Sequence, residues 1–359
     1  MRAAIGVWSL RVAVVLGCAS MWLAQPAAGR VLPAYRLVRR VALGAPTSWD
    51  YAVFDPASRR VFVAHGNRLT VLDAKDGRIV GEVGPIAGGP HGVAFDQRAG
   101  VGITDDGRSG RAVIFSLKTL RVLARVKIER GADAVTFDPV SRHAFVIDGD
   151  TGTLAVIDPV HRTVVKFVRI GGDLEYAVPG DNGELYVNGV THPEIFRIDT
   201  ATNRVDAAWP MPTCRQPHGL ALDRVTHRLF ASCENDRLVI VNAITGAVVS
   251  TVRIGAGSDA VRFDPRRRLI FSSNGRAGTL SVIREVNADT FVALPAVKTE
   301  LSGRTMALDP ATGRVFILAA QTTPTALRKF FAAWRAGHRP LRSPFTPDSL
   351  QVLLFDPVR

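Results

Sequence analysis

The 359-residue chain is 47% hydrophobic and 21% charged, a balance that excludes a disordered or low-complexity polypeptide. Its formal charge of +13 leaves anionic partners open, whereas the lack of a long apolar run after the N-terminus excludes further membrane helices. Aromatics are few, and 32 Gly and 21 Pro beside Val, Ile, Leu and Ala favour short strands and tight turns over helices.

Residues 1–29 read as an export signal. Arg2 and Arg11 precede an apolar run, Val12 to Ala24, that is too short to cross a bilayer comfortably, and Ala27, Ala28 and Gly29 offer a cleavage region. Cys18 in "VLGC" approaches a lipoprotein site, but Leu16 is bulkier than that pattern tolerates. Ordinary cleavage and a periplasmic or secreted location are expected, with one domain over 30–359. Export makes Cys214 and Cys233 candidates for a disulfide, since their spacing fits neither a zinc nor a haem-attachment pattern.

A strand-like segment, Tyr35 to Leu43, precedes a phrase that then recurs down the chain. Its closing Asp is Asp55 in "AVFDPASRRVFV", Asp96 in "VAFDQRAGVGI" and Asp138 in "VTFDPVSRHAFV". It returns as Asp181 in the weaker "VPGDNGELYV", then as Asp223, Asp264 and Asp309. Successive spacings of 41, 42, 43, 42, 41 and 45 define seven near-equal units. Each unit holds four short apolar runs, as in "AVTF", "HAFVI", "TLAVID" and "VVKFVRI" of the third. Four antiparallel strands repeated seven times describe an all-β, seven-bladed β-propeller, and no unit shows the periodicity of a helical solenoid. The seventh unit ends without a fourth strand, so Tyr35–Leu43 is expected to supply it and close the ring.

The "DAVxFDP" phrases, "ELYVNG" (Glu184 to Gly189), "GTLAVID" (Gly152 to Asp158) and "GRTMALDPATGRVF" (Gly303 to Phe316) resemble the YVTN-repeat family, exported bacterial type. The resemblance spans nearly all of 35–359, although no unit contains a literal Tyr-Val-Thr-Asn. It implies a seven-bladed propeller. Its functional implication is broad, since the family includes surface-layer proteins, a single-stranded-DNA binder and relatives of electron-transfer and lactone-hydrolysing propellers.

The units differ where function resides. The residue just before the innermost strand lies at one mouth of the central channel and is Asp50, His91, Asp133, Glu175, His218, Asp259 and Arg304 in successive units. Four carboxylates, two imidazoles and one guanidinium could cap backbone and fasten blade to blade. They could equally bind a small ligand or a divalent cation, for which His and carboxylates are suitable donors. Turns on the same face carry His65, Asp105, Asp106, Asp148, Asp150, Asn188 and Asn274, most of which turn chemistry alone explains.

An insertion over 322–349 interrupts the seventh unit. Leu327, Phe330, Phe331 and Trp334 fall at helical spacing between Ala326 and Arg342, readable as a lid, a basic amphipathic contact helix or simple packing. On the opposite face, first-to-second strand turns gather Arg59, Arg60, Arg142, Arg266, Arg267 and Arg268. This arginine-rich rim would attract nucleic acid or anionic surfaces, yet it lacks the interleaved aromatics of a base-stacking platform.

No "GxSxG", "HExxH", phosphate-binding Gly loop or "CxxCH" occurs. The leading expectation is therefore a binding or interaction scaffold whose ring takes a small ligand, a cation or a protein partner. The alternatives are a metal-assisted hydrolase of lactones or phosphoesters on the same ring, and electrostatic attachment through the arginine rim.

Overall fold

Seven antiparallel sheets succeed one another along the chain in the computed structural model, which describes residues 35–335 and 343–358. The leader expected over 1–29 lies outside the described residues. The innermost strands of blades one to seven are Trp49–Asp55, Val93–Asp96, Ala132–Asp138, Leu174–Pro179, Pro217–Asp223, Ser258–Asp264 and Thr305–Asp309. Six blades have four strands; the sixth adds a short fifth, Val297–Lys298, beside Thr279–Asn287.

Burial explains the sequence texture of each blade. Second and third strands such as His143–Asp148 and Thr153–Asp158 are covered by neighbouring blades on both faces, so they read as nearly unbroken apolar runs. The outer strand Thr163–Arg169 is largely exposed and reads as mixed. The cores form between blades. Phe62, Val113 and Phe115 join blades one and two, while Phe271, Met306 and Ile317 join six and seven. Each such fully buried Phe contributes about 2–3 kcal/mol relative to exposure.

Closure follows the expected route. Tyr35–Ala42 pairs antiparallel with Gln351–Pro357, from Tyr35 opposite Pro357 to Ala42 opposite Gln351, and so becomes the outer strand of blade seven. Val61, Val63, Phe316 and Leu354 then bury the seam between blades seven and one. The pairing covers the edge of Gln351–Pro357, which would otherwise be open.

The recurring Asp has a physical role. Asp55, Asp96, Asp138, Asp223, Asp264 and Asp309 are all buried, and each accepts hydrogen bonds from backbone N–H groups two or three residues on. The turn fixes the hairpin, and the same carboxylate also accepts from a side chain of a neighbouring blade. Gln97 donates to Asp55 at 2.5 Å, Thr200 to Asp138 at 2.7 Å and Arg59 to Asp309 at 2.6 Å.

Candidate functional site: the ring at the channel mouth

Each blade brings one polar side chain to the start of its innermost strand. In chain order these are Asp50, His91, Asp133, Glu175, His218, Asp259 and Arg304, so each imidazole stands between two carboxylates. Donor atoms of Asp50, His91 and Asp133 lie within 4.8 Å of one another, as do those of Glu175, His218 and Asp259. Arg304 completes the circle: it ion-pairs with Asp259, donates to the Trp49 carbonyl at 3.2 Å and stands over the Trp49 ring.

The first triad is held from behind. His91 Nδ1 lies 2.7 Å from Oδ2 of the fully buried Asp105. Asp105 Oδ1 accepts the backbone N–H groups of His91 at 2.9 Å and Gly92 at 2.8 Å. With Nδ1 occupied, Nε2 is the nitrogen left for a ligand. The flanking carboxylates are otherwise uncommitted, since neither the Asp50 nor the Asp133 carboxylate accepts a hydrogen bond from a described side chain; Thr305 donates to the Asp50 backbone carbonyl at 2.9 Å. Burial pushes Asp50 up to about 7, against the restraining charges of Arg304 and His91. Burial, reinforced by Glu175 and Asp50, holds Asp133 well above the carboxylate range. Burial pulls His91 down, but the Asp105 hydrogen bond and charge outweigh it and carry it up to about 10.

The second triad is more committed. Glu175 Oε1 accepts the Tyr51 hydroxyl at 3.0 Å, and Asp259 serves Arg304. His218 Nδ1 lies 3.6 Å from both Glu175 and Asp259, too long for a hydrogen bond but close enough for their charge to act. Burial lowers its affinity for a proton, yet Glu175 and Asp259 carry it up to about 9.

Beneath the ring the channel is crossed. Tyr51 of blade one reaches Glu175 of blade four and packs against Tyr176 with ring centroids 5.0 Å apart. Arg262 of blade six covers the Tyr176 ring and donates to the Ala52 carbonyl at 3.4 Å. The mouth is therefore a cup with an aromatic floor. Gly92 and Gly219, which follow the two ring histidines, allow adjacent inner strands to meet: a Cβ there would fall 2.4 Å from Val135 N and 2.5 Å from Val261 N.

The other expected residues fall as follows. Cys214 and Cys233 are joined by a disulfide at blade five. Helix α1, Pro324–Arg335, occupies the insertion, begins two residues before the expected segment and buries Leu327. Phe331 packs under Arg276 of blade six, 5.6 Å from the guanidinium carbon, and meets Phe330 edge-on; only the backbone of Trp334 is described. The helix thus leans on the ring-bearing rim at blade six, and Phe345 after it packs on Trp49.

The turn arginines differ from the expectation of a free basic rim. Arg59 is spent on Asp309, Arg142 makes two bonds to Asp96 at 2.7 and 2.8 Å, and Arg267 binds Asp264 and two carbonyls of blade seven. Arg268 lies 3.5 Å from Glu285, and Arg60 reaches the Leu117 carbonyl at 3.5 Å; Arg266 is exposed. Arg59, Arg142 and Arg267 are blade-to-blade stitches, the first two to buried carboxylates of the preceding blade and the third to backbone carbonyls of the next. Outside the ring, the same rim carries cations of its own around a groove lined by Arg111, Arg125, Lys127, Arg130 and Arg169.

No family model matches the sequence, and no curated protein does. Among solved structures, the chain is similar to a chain of Kuenenia stuttgartiensis hydrazine synthase, with TM-score 0.64 and 13% identity over 74% of this chain and 91% of that one. It is also similar to a chain of a mitotic checkpoint complex, with TM-score 0.68 and 15% identity over 86% and 96%. At these identities the likeness establishes the propeller fold and leaves function to the site.

Proposed function

We propose that the chain is an exported binding propeller whose channel mouth takes a divalent cation at Asp50, His91 and Asp133, with a small ligand completing the cation's coordination. The observation that carries this reading is the pairing of two uncommitted, burial-perturbed carboxylates with an imidazole whose rear nitrogen is fixed by a buried carboxylate. Metal-binding histidines are oriented in this way, and one nitrogen with two oxygens suits first-row divalent ions such as Zn²⁺ or Mn²⁺. Protons now held by Asp50, Asp133 and His91 would leave as the ion enters, so affinity should rise with pH through about 7 and on toward about 10. Export and membership of the YVTN-repeat family belong to the same proposal; they rest on the 1–29 pattern and the repeat phrases, and a disulfide suits an oxidising compartment.

The alternative of a metal-assisted lactone or phosphoester hydrolase uses the same atoms. Asp50, held near 7, can accept a proton at neutral pH, and a cation beside it would polarise the substrate oxygen. Calorimetric titration of metal-free protein with Zn²⁺ and Mn²⁺ tests the common premise. Saturable binding that is lost in Asp50→Ala and in Asp133→Ala is expected; equal affinity in these variants would reduce the ring to backbone and blade capping.

A further inference from the structure

Blade two carries like charges where strand pairing should avoid them. Arg111 stands directly opposite Lys127 in the register between its third and fourth strands, and Arg125 shares their face two residues along. Like charges placed opposite each other destabilise a sheet. No carboxylate repays this cost: Arg111 and Lys127 make no ion pair with any described residue, nor does Arg130 in the link to blade three. Glu129, the acidic residue of the groove lining, is engaged by Arg169 at 3.3 Å and Thr151 at 3.2 Å.

These side chains line one groove of about 650 Å³, bounded also by Ser109, Gly110 and Ile128. Its place in the fold follows from strand direction. Strands alternate in sense, so the start of a third strand and the end of a fourth lie on the rim where the first begins, which is the rim of the ring. A second cavity, of about 430 Å³, contains His91, Asp133 and Arg108, and Arg130 lines both. A basic groove on the outer part of the rim therefore meets the channel mouth at Arg130.

We propose that this groove is an anion-binding site for a small molecule carrying at least two phosphate or sulfate groups, with Arg111, Lys127 and Arg130 as its principal contacts. Five cations against one engaged carboxylate exceed what a single charge requires, and a groove of about 650 Å³ has volume for a small di- or trianion. Guanidinium groups supply planar paired donors for phosphate or sulfate oxygens, and Lys127 a point charge. Arg130, common to both cavities, would direct the charged end toward the cup. The site is distinct in residues from the cation triad, so either can fail without the other.

The test uses the purified protein at low ionic strength, titrated calorimetrically with inorganic tripolyphosphate and separately with a sulfated heparin tetrasaccharide. Comparison with Arg111→Ala/Lys127→Ala is decisive, because both side chains are exposed and their removal relieves repulsion. Each lost cation should weaken binding about tenfold. The double variant should thus bind about a hundredfold more weakly while keeping Zn²⁺ affinity at the ring. Arg266→Ala/Arg268→Ala, on the opposite rim, should bind as the parent does. Binding of tripolyphosphate alone or of the tetrasaccharide alone identifies the anion and supports the proposal if the groove variant loses it. Binding of neither anion at millimolar concentration, or equal affinity in the groove variant and the parent, overturns it.

Discussion

Asp105→Asn removes one charge from behind the ring and changes almost nothing else. The Asn Oδ1 can still accept the His91 and Gly92 backbone N–H groups that Asp105 now accepts at 2.9 and 2.8 Å. Its amide nitrogen would then donate to His91 Nδ1 where a carboxylate accepted, which places the imidazole proton on Nε2. A protonated Nε2 has no lone pair for a cation, so Zn²⁺ affinity should fall about 10- to 100-fold, the usual cost of losing such an orienting partner. The metal-free protein gives an independent reading. His91 rises from 6.5 to about 10 on folding, at face value ~5 kcal/mol of preference for the charged form. With the imidazole 29% exposed, solvent screening reduces this to about 2–3 kcal/mol. Because the folded-state value is raised, that stabilisation is complete below about 6.5 and is lost as pH rises through about 10. Denaturant unfolding in chelator from pH 6 to 10.5 should show this loss in the parent and a flatter profile in Asp105→Asn. Superimposable profiles together with unchanged Zn²⁺ affinity would refute the role assigned to Asp105.

Arg142→Ala should cost about 2–3 kcal/mol in equilibrium unfolding, since it strands the buried Asp96, whereas Arg266→Ala should stay within about 0.5 kcal/mol. Equal effects would contradict the division of the rim into stitches and free charges. Replacing both Cys214 and Cys233 with Ala opens a loop of 19-residue separation and should lower stability by roughly 3 kcal/mol, read in the same assay, without altering ring affinity for Zn²⁺. Deleting 324–345 removes α1 from blade six; circular dichroism should retain the sheet signal and ligand on-rates should rise, while loss of the sheet signal would make the insertion a structural part of blade seven.

The fold was legible because the Asp-terminated hairpin repeats at a nearly constant interval and its strands are buried in a constant pattern. The ring was legible for the same reason: position within the repeat fixes position at the channel mouth, so Asp50 and Asp259 could be aligned although 209 residues separate them. What escaped the sequence depends on contacts between repeats. Asp105 sits in "TDDG", which reads as turn chemistry, and only the fold sets it behind His91. Tyr51 reads as an apolar strand residue until blade four supplies Glu175 across the channel. Arg59 reads as a free turn cation because its partner, Asp309, is 250 residues away and meets it only when the ring closes. The basic groove was hidden by register, for nothing in the separate runs of Arg111 and Lys127 shows that they lie opposite each other.

The most direct test of the cation site is a crystal structure of the protein grown with Zn²⁺ and recorded at the zinc absorption edge. An anomalous peak is expected at the channel mouth, bonded to Asp50, His91 Nε2 and Asp133, with Asp105 behind the imidazole. Peaks confined to surface histidines such as His161, with none within bonding distance of the ring, would contradict it.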